Sequence, residues 1–229
     1  MADAPLRVER AGDAVWCTLD RPPLNLLEPG LIRAVRAAFD GFAADRATRV
    51  VVLTGGGRAF TAGMDVRVLR DLDTAGAKEL ITLLHDTIDA VHRAPCPVIA
   101  AVNGACLGAG FELALACDLR VASAGAPLGL PEVRVGVPSV IQAALLPPLV
   151  GPGRAAQLLL TGEPITAERA HEWGLVNDVV PAERLRATDL RTAVRSGIDA
   201  FTAAYATDEP FRGMSAFLEK RPPKFRSRR

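Results

Sequence analysis

Apolar residues fall along this chain in short runs that switch between strand-like and helix-like spacing. Leu6 to Glu9 and Ala14 to Asp20 read as a strand pair around the turn Ala11-Gly12-Asp13. Arg21-Pro22-Pro23-Leu24-Asn25 breaks the pattern, and Pro29 suits the first turn of a helix reaching Ala44. In that helix Leu31, Val35, Ala38, Phe39 and Phe42 recur at helical spacing. Val50 to Leu53 is a short buried strand entering Thr54-Gly55-Gly56-Gly57. Ala75 to His92 is helical, and Pro95 and Pro97 bracket the way into a strand at Val98–Val102. Leu119 to Ala122 adds a further strand. From Ser139 the chain turns mostly helical, over 141–146, 154–160 and 167–173, before a last strand from Leu175 to Val180. Strands alternating with helices predict an α/β fold with parallel strands and crossover helices.

The densest chemical signal lies at Asn103-Gly104-Ala105-Cys106-Leu107-Gly108-Ala109-Gly110-Phe111-Glu112. A strand ends at a glycine-rich turn, and a helical segment opens with a glutamate. Such turns let the backbone approach a ligand and leave N–H groups pointing at it. A carboxylate in apolar surroundings beside the turn is a candidate acid or base. A second stands in Leu130-Pro131-Glu132. Backbone donors with two glutamates suit chemistry next to a carbonyl.

Composition narrows the classes. A chain of 229 residues, 49% hydrophobic, forms one domain or one domain with an appendage. Aromatics make up only 5%, so Ala, Leu and Val fill the core. A net charge of +1 argues against a dedicated nucleic-acid surface. The basic run from Lys220 to Arg229 reads as a solvated terminus. No signal peptide or membrane-length apolar run is evident, so a cytoplasmic protein is expected. Cys17, Cys96, Cys106 and Cys117 form no C-x-x-C pair and read as reduced thiols. His85, His92 and His171 are not spaced for zinc, and no metal is expected.

These pieces together resemble the crotonase superfamily, the enoyl-CoA hydratases and isomerases. The resemblance runs through Leu19-Asp20-Arg21-Pro22 with Asn25, Leu53-Thr54-Gly55 and Ala59-Phe60-Thr61-Ala62-Gly63-Met64-Asp65. It continues through Asn103-Gly104, Glu112-Leu113-Ala114, Cys117-Asp118, Pro131-Glu132, Leu160-Thr161-Gly162 and Gly174-Leu175-Val176. It implies a spiral of β-β-α turns with two roughly perpendicular sheets over 1–185, followed by a helical C-terminal segment, 186–229. It also implies an acyl-CoA thioester as substrate and a homotrimer or dimer of trimers. Coenzyme A arrives as part of the substrate, and no separate cofactor is expected.

By the same resemblance, the backbone N–H groups of Met64 and Ala109 polarise the thioester carbonyl. Ala109 stands where the family often has glycine. Glu112 and Glu132 match the two hydratase acids, one activating water and the other handling the α-carbon proton. Isomerases of this fold often keep only the acid at the position of Glu132, so the pair leans toward hydration. Arg21, Leu24, Ala62, Met64, Asp65, Arg67 and Gly108 are the implied contacts to coenzyme A and substrate.

Two departures stand out. Ser139, Val140 and Ile141 replace a glycine-rich turn and reshape the acyl pocket. A stretch of helix that family members carry has no counterpart between Leu185 and Arg195. Three alternatives compete with hydration: double-bond isomerisation or another crotonase-fold reaction, a non-catalytic relative with a truncated C-terminal region, and a dinucleotide turn at Gly108-x-Gly110. The last lacks its third glycine, since Leu113 stands there.

Overall fold

The computed structural model describes residues 4–185 other than 13, 46 and 140, together with 215, 219 and 221. The chain divides into two compact units, Met1–Leu185 and Arg186–Arg229. The expected C-terminal helical segment falls almost wholly outside the described residues, as does Val140.

In the first unit β1 (Leu6–Ala11) and β2 (Ala14–Leu19) form an antiparallel hairpin, with Leu6 opposite Leu19 and Ala11 opposite Ala14. Gly12 turns it at φ +64°. Helix α1 (Pro29–Ala44) starts at its proline and buries Leu31, Ile32, Val35, Phe39 and Phe42. Then come β3 (Val50–Gly55), β4 (Ala59–Thr61), α2 (Val66–Arg70) and α3 (Thr74–His92). Next are β5 (Val98–Val102), β6 (Ala105–Leu107), α4 (Ala109–Ala116), β7 (Leu119–Ser123) and β8 (Pro127–Gly129). A 3₁₀ turn at Pro131–Val135 leads on to α5 (Leu146–Thr161), β9 (Ile165–Thr166), α6 (Ala167–Glu172) and β10 (Asp178–Val180).

The strands make two mixed sheets, ordered β1-β2-β3-β5-β7-β10 and β4-β6-β8-β9. Each pass of the chain adds one strand to the first sheet and the next strand to the second: β3 then β4, β5 then β6, β7 then β8. Helices α1, the pair α2 and α3, and α4 lie between passes. The first sheet is parallel from β2 to β10, as the alternating pattern predicts. Its order follows the chain without reversing. It has no switch point of the kind at which doubly wound sheets hold dinucleotides, which removes that alternative.

Side-chain alternation sets the two faces of the large sheet. Val15, Cys17, Leu19, Val51, Leu53, Val98, Ala100 and Val102 enter the main core. Val52 and Ala101 turn the other way, into a small cluster with Leu185, flanked by Trp16, Val121 and Val180. Being covered on both faces, β5 is apolar throughout. Three features differ from the pattern-based reading. The strands of the second sheet are two or three residues long, too short for alternation to register. The last strand begins only at Asp178, because the N–H groups of Leu175 and Val176 bond the Ala170 carbonyl instead. The helix from Leu146 runs on to Thr161 through a break at Gly151, φ +78°, just before Pro152.

Candidate active site

The loop between β3 and β4 is stitched by two asparagines. Asn103 accepts from the Gly55 N–H at 3.0 Å and donates to the Gly57 and Ala59 carbonyls at 3.0 and 3.2 Å. Asn25, fully buried, donates to the carbonyls of Gly56, Ala59 and Phe60 at 2.9, 2.8 and 3.2 Å, and accepts from the Arg21 N–H. Two amide hydrogens serve three carbonyls, so one is shared. Beyond this anchored loop the chain leaves β4 through Ala62-Gly63-Met64. Gly63 sits at φ +89°, and a Cβ there would stand 2.8 Å from the Leu107 carbonyl and 3.5 Å from the Ala109 nitrogen. Only glycine allows that approach. The turn is thereby pressed against the start of α4, and Met64 and Ala109 line one cavity. Among the described residues neither of their N–H groups has a hydrogen-bond acceptor. Ala109 is the first residue of α4, where the helix dipole favours negative charge.

Every residue of α4 is buried, as befits a helix apolar on all sides but for Glu112. Glu112, in its first turn, is 2% exposed. Its Oε1 accepts from three successive backbone amides, Ile141, Gln142 and Ala143, at 3.0, 3.0 and 3.2 Å. Burial pushes this carboxyl above its ordinary 4.5, the charge of Glu132 adds to the rise, and the three amides oppose it.

Glu132 is carried by the 3₁₀ turn that Pro131 starts. Burial raises its pKa too, opposed first by its own backbone N–H and then by the nearby Ser139 hydroxyl. Its Oε2 is buried with no partner among the described residues. Gly108 has φ +56°, and a Cβ there would stand 3.0 Å from Glu132 Oε1, so the glycine makes room for the carboxylate. Two raised carboxyls and two unpaired amides thus share an apolar cavity of about 210 Å³. The arrangement can hold a developing oxyanion while protons move at neighbouring atoms.

Of the residues expected from sequence, Ala62, Met64, Gly108, Ala109, Glu112 and Glu132 come together on this cavity. Arg21, Leu24, Asp65 and Arg67 do not line it. The Leu24 carbonyl accepts from the Ala62 N–H at 3.0 Å, so Leu24 belongs to the frame of the site. The Arg21 guanidinium lies 3.4 Å from Glu28. Asp65 caps α2 and grips the exposed Arg67 at 2.6 Å. Ile141 lines the cavity, as its place after Glu132 suggested, and Ser139 touches Glu132. Sequence reasoning missed the three amides that hold Glu112, and also Val66, Leu69 and Ile81 of the cavity wall. Helix α2 is too short to show a period, and Ile81 stands one position off the buried stripe of Leu80, Leu84 and Ile88. Among the described residues no cluster of His, Cys, Asp or Glu could hold a metal ion, and no helix is long and apolar enough to cross a membrane. His85 and His92 share a face of α3, and the His171 ring bonds the Val176 carbonyl at 3.0 Å. Cys17 and Cys117 are pushed up to about 12 by burial and stay thiols.

Comparison with known proteins gives concordant matches. The profile of the enoyl-CoA hydratase/isomerase family matches residues 10–205. The crotonyl-CoA hydratase of Syntrophomonas wolfei is 35% identical, over 92% of this chain and 93% of that protein. The 2,3-dehydroadipyl-CoA hydratase of Escherichia coli is 33% identical, over 97% and 99%. That alignment spans 261 positions against a chain of 229 residues, so stretches of the relative have no counterpart here. Among solved structures, the enoyl-CoA hydratase of Bacillus anthracis superposes with a TM-score of 0.77 at 31% identity, covering 98% of this chain and 100% of that one.

Proposed function

The chain belongs to the enoyl-CoA hydratase/isomerase family, and on that premise we propose that it hydrates the 2,3 double bond of an acyl-CoA thioester. The observation that carries this reading is the pair of buried glutamates flanking two unpaired backbone amides in one cavity. In this mechanism the thioester oxygen sits between the N–H groups of Met64 and Ala109. They stabilise the enolate that forms as water attacks C3, each contributing about 2.7–4 kcal/mol by analogy with other oxyanion holes. Glu112 takes the proton of the attacking water. Its Oε1 is fixed by three amides, which leaves Oε2 to face the water. Glu132 delivers a proton to C2, and its unpartnered Oε2 suits that task. The hydroxyl ends on C3 and the hydrogen on C2, and proton exchange returns both carboxyls to their starting states.

A plain assay tests this. Purified protein with crotonyl-CoA should abolish the ultraviolet absorbance of the conjugated thioester and yield 3-hydroxybutyryl-CoA. A shift of the double bond without uptake of water would mean isomerisation, and no change with any enoyl thioester would mean a non-catalytic relative. The family likeness supports a trimer or dimer of trimers as the assembly. A monomer at micromolar concentration in light scattering would contradict that.

A further inference from the structure

The cavity that holds the two acids does not close around a small acyl group. Its walls are aliphatic: Val66 and Ile81 on the side of α2 and α3, Val135 and Val137 on the side of the segment after Glu132. These side chains line the cavity and yet remain exposed, Val66 at 56% and Val135 at 61%. Exposed aliphatic side chains facing one another across a groove cost hydration free energy unless something apolar covers them. The groove is continuous with the acids and the two amides, so the molecule placed to cover it is the remainder of the chain whose double bond they address.

Size points the same way. A cavity of about 150 Å³ lined by aliphatic and aromatic groups holds one six-carbon ring. A cavity of about 210 Å³ therefore exceeds what a four-carbon acyl group fills. Charge adds a second selection. Among the described lining residues the one cation is Arg134, whose Nε donates to the Thr161 carbonyl at 3.3 Å and whose Nη2 lies 3.7 Å from Glu163. Its guanidinium bonds at the end of α5, and no other cation among the described lining residues is placed to meet a carboxylate at the far end of the acyl chain.

Resting on the hydratase reading, we propose that the preferred substrate is an unbranched, uncharged 2-enoyl thioester of medium length, about eight to ten carbons, whose tail runs out between Val66 and Val135. The test compares crotonyl-, 2-hexenoyl-, 2-octenoyl-, 2-decenoyl- and 2,3-dehydroadipyl-CoA. Each added methylene should raise kcat/KM about fourfold, giving about 250-fold between crotonyl and octenoyl, with dehydroadipyl below hexenoyl. Val66→Asp and Val135→Asp, both on exposed positions that folding tolerates, should each lower the octenoyl-to-crotonyl ratio at least tenfold. A preference for crotonyl or dehydroadipyl, or a ratio unmoved by both variants, would overturn the proposal while leaving hydration in place. Binding separates the two claims further. Saturated octanoyl-CoA should bind about 250-fold tighter than butyryl-CoA even if no thioester is hydrated. Equal affinities would reject the groove whatever the chemistry.

Discussion

Glu112 and Glu132 are acids whose ionised forms the fold disfavours, since burial is the largest influence on each. With folded pKa values above the unfolded one, their contribution to stability is full below about 4.5 and is lost as pH rises through the raised values. Glu132→Gln should therefore melt higher than the parent at pH 7 and equal to it at pH 4, by about 2–4 °C for each kcal/mol released, in scanning calorimetry. A variant that melted lower at pH 7 would mean that the carboxylate is stabilised where it stands. In catalysis the sign reverses. Acidification through the raised pKa of Glu112 removes the base, so the acid limb of the rate profile should lie above the ordinary carboxylate range. Glu112→Gln should shift that limb along with lowering the rate. Each glutamine variant should lose about 10²–10⁴-fold in kcat, and the double variant far less than the product, because both groups serve one event. Both glutamates are legible in the sequence, because each stands in a motif. The amides of Ile141, Gln142 and Ala143 are not, because a backbone donor leaves no trace in side-chain identity.

At the level of elements, α4 carries the chemistry at one end and is held at the other. Its C-terminal carbonyls at Ala114 and Leu115, with that of Cys117, accept from the buried Arg120 guanidinium at 3.2, 3.4 and 2.6 Å, and Arg120 Nε donates to the Leu175 carbonyl at 2.7 Å. A cation at a helix C-terminus complements its dipole. Arg120→Met should leave those carbonyls buried without a partner and cost about 3 kcal/mol, a fall of roughly 6–12 °C in Tm. An unchanged melting temperature would show that water replaces the guanidinium. The other end permits a cleaner experiment. Ala109 is the first residue of the helix, where proline is tolerated because its missing N–H has no helical partner. Ala109→Pro should fold, yet lose about 10²–10³-fold in kcat, whereas Ala109→Gly should keep most of the rate. A folded proline variant with full rate would remove Ala109 from the oxyanion site. The start of α4 was readable from Gly108 and the residues after it. Helix α2 was not, since five residues show no period, and it supplies a wall of the cavity.

For the molecule as a whole, the chain's pattern revealed the hairpin and the parallel core of the large sheet, because buried strands such as β5 and amphipathic helices such as α1 leave periodic marks. The second sheet left none. Its strands at Ala59–Thr61 and Ala105–Leu107 start where Gly104 is pressed against the Arg58 carbonyl, 2.1 Å from where a Cβ would stand, a contact that alternation does not encode. The site is where the two sheets' connections meet. The turn after β4, the turn after β6 and the 3₁₀ segment after β8 are successive repeats of one topological step, and each delivers part of the chemistry: Met64, then Ala109 with Glu112, then Glu132. The resemblance to the family's motifs pointed to these residues, but only the repeat explains why three distant segments converge. In the proposed reaction water adds across the double bond at that meeting point. Turnover of 2-octenoyl-CoA in water enriched in ¹⁸O, followed by mass spectrometry, measures it directly. One heavy oxygen should appear at C3 of a 3-hydroxyacyl thioester, with the signal falling at least a hundredfold in Glu112→Gln; a product without heavy oxygen, or undiminished labelling in that variant, would rule out hydration at this site.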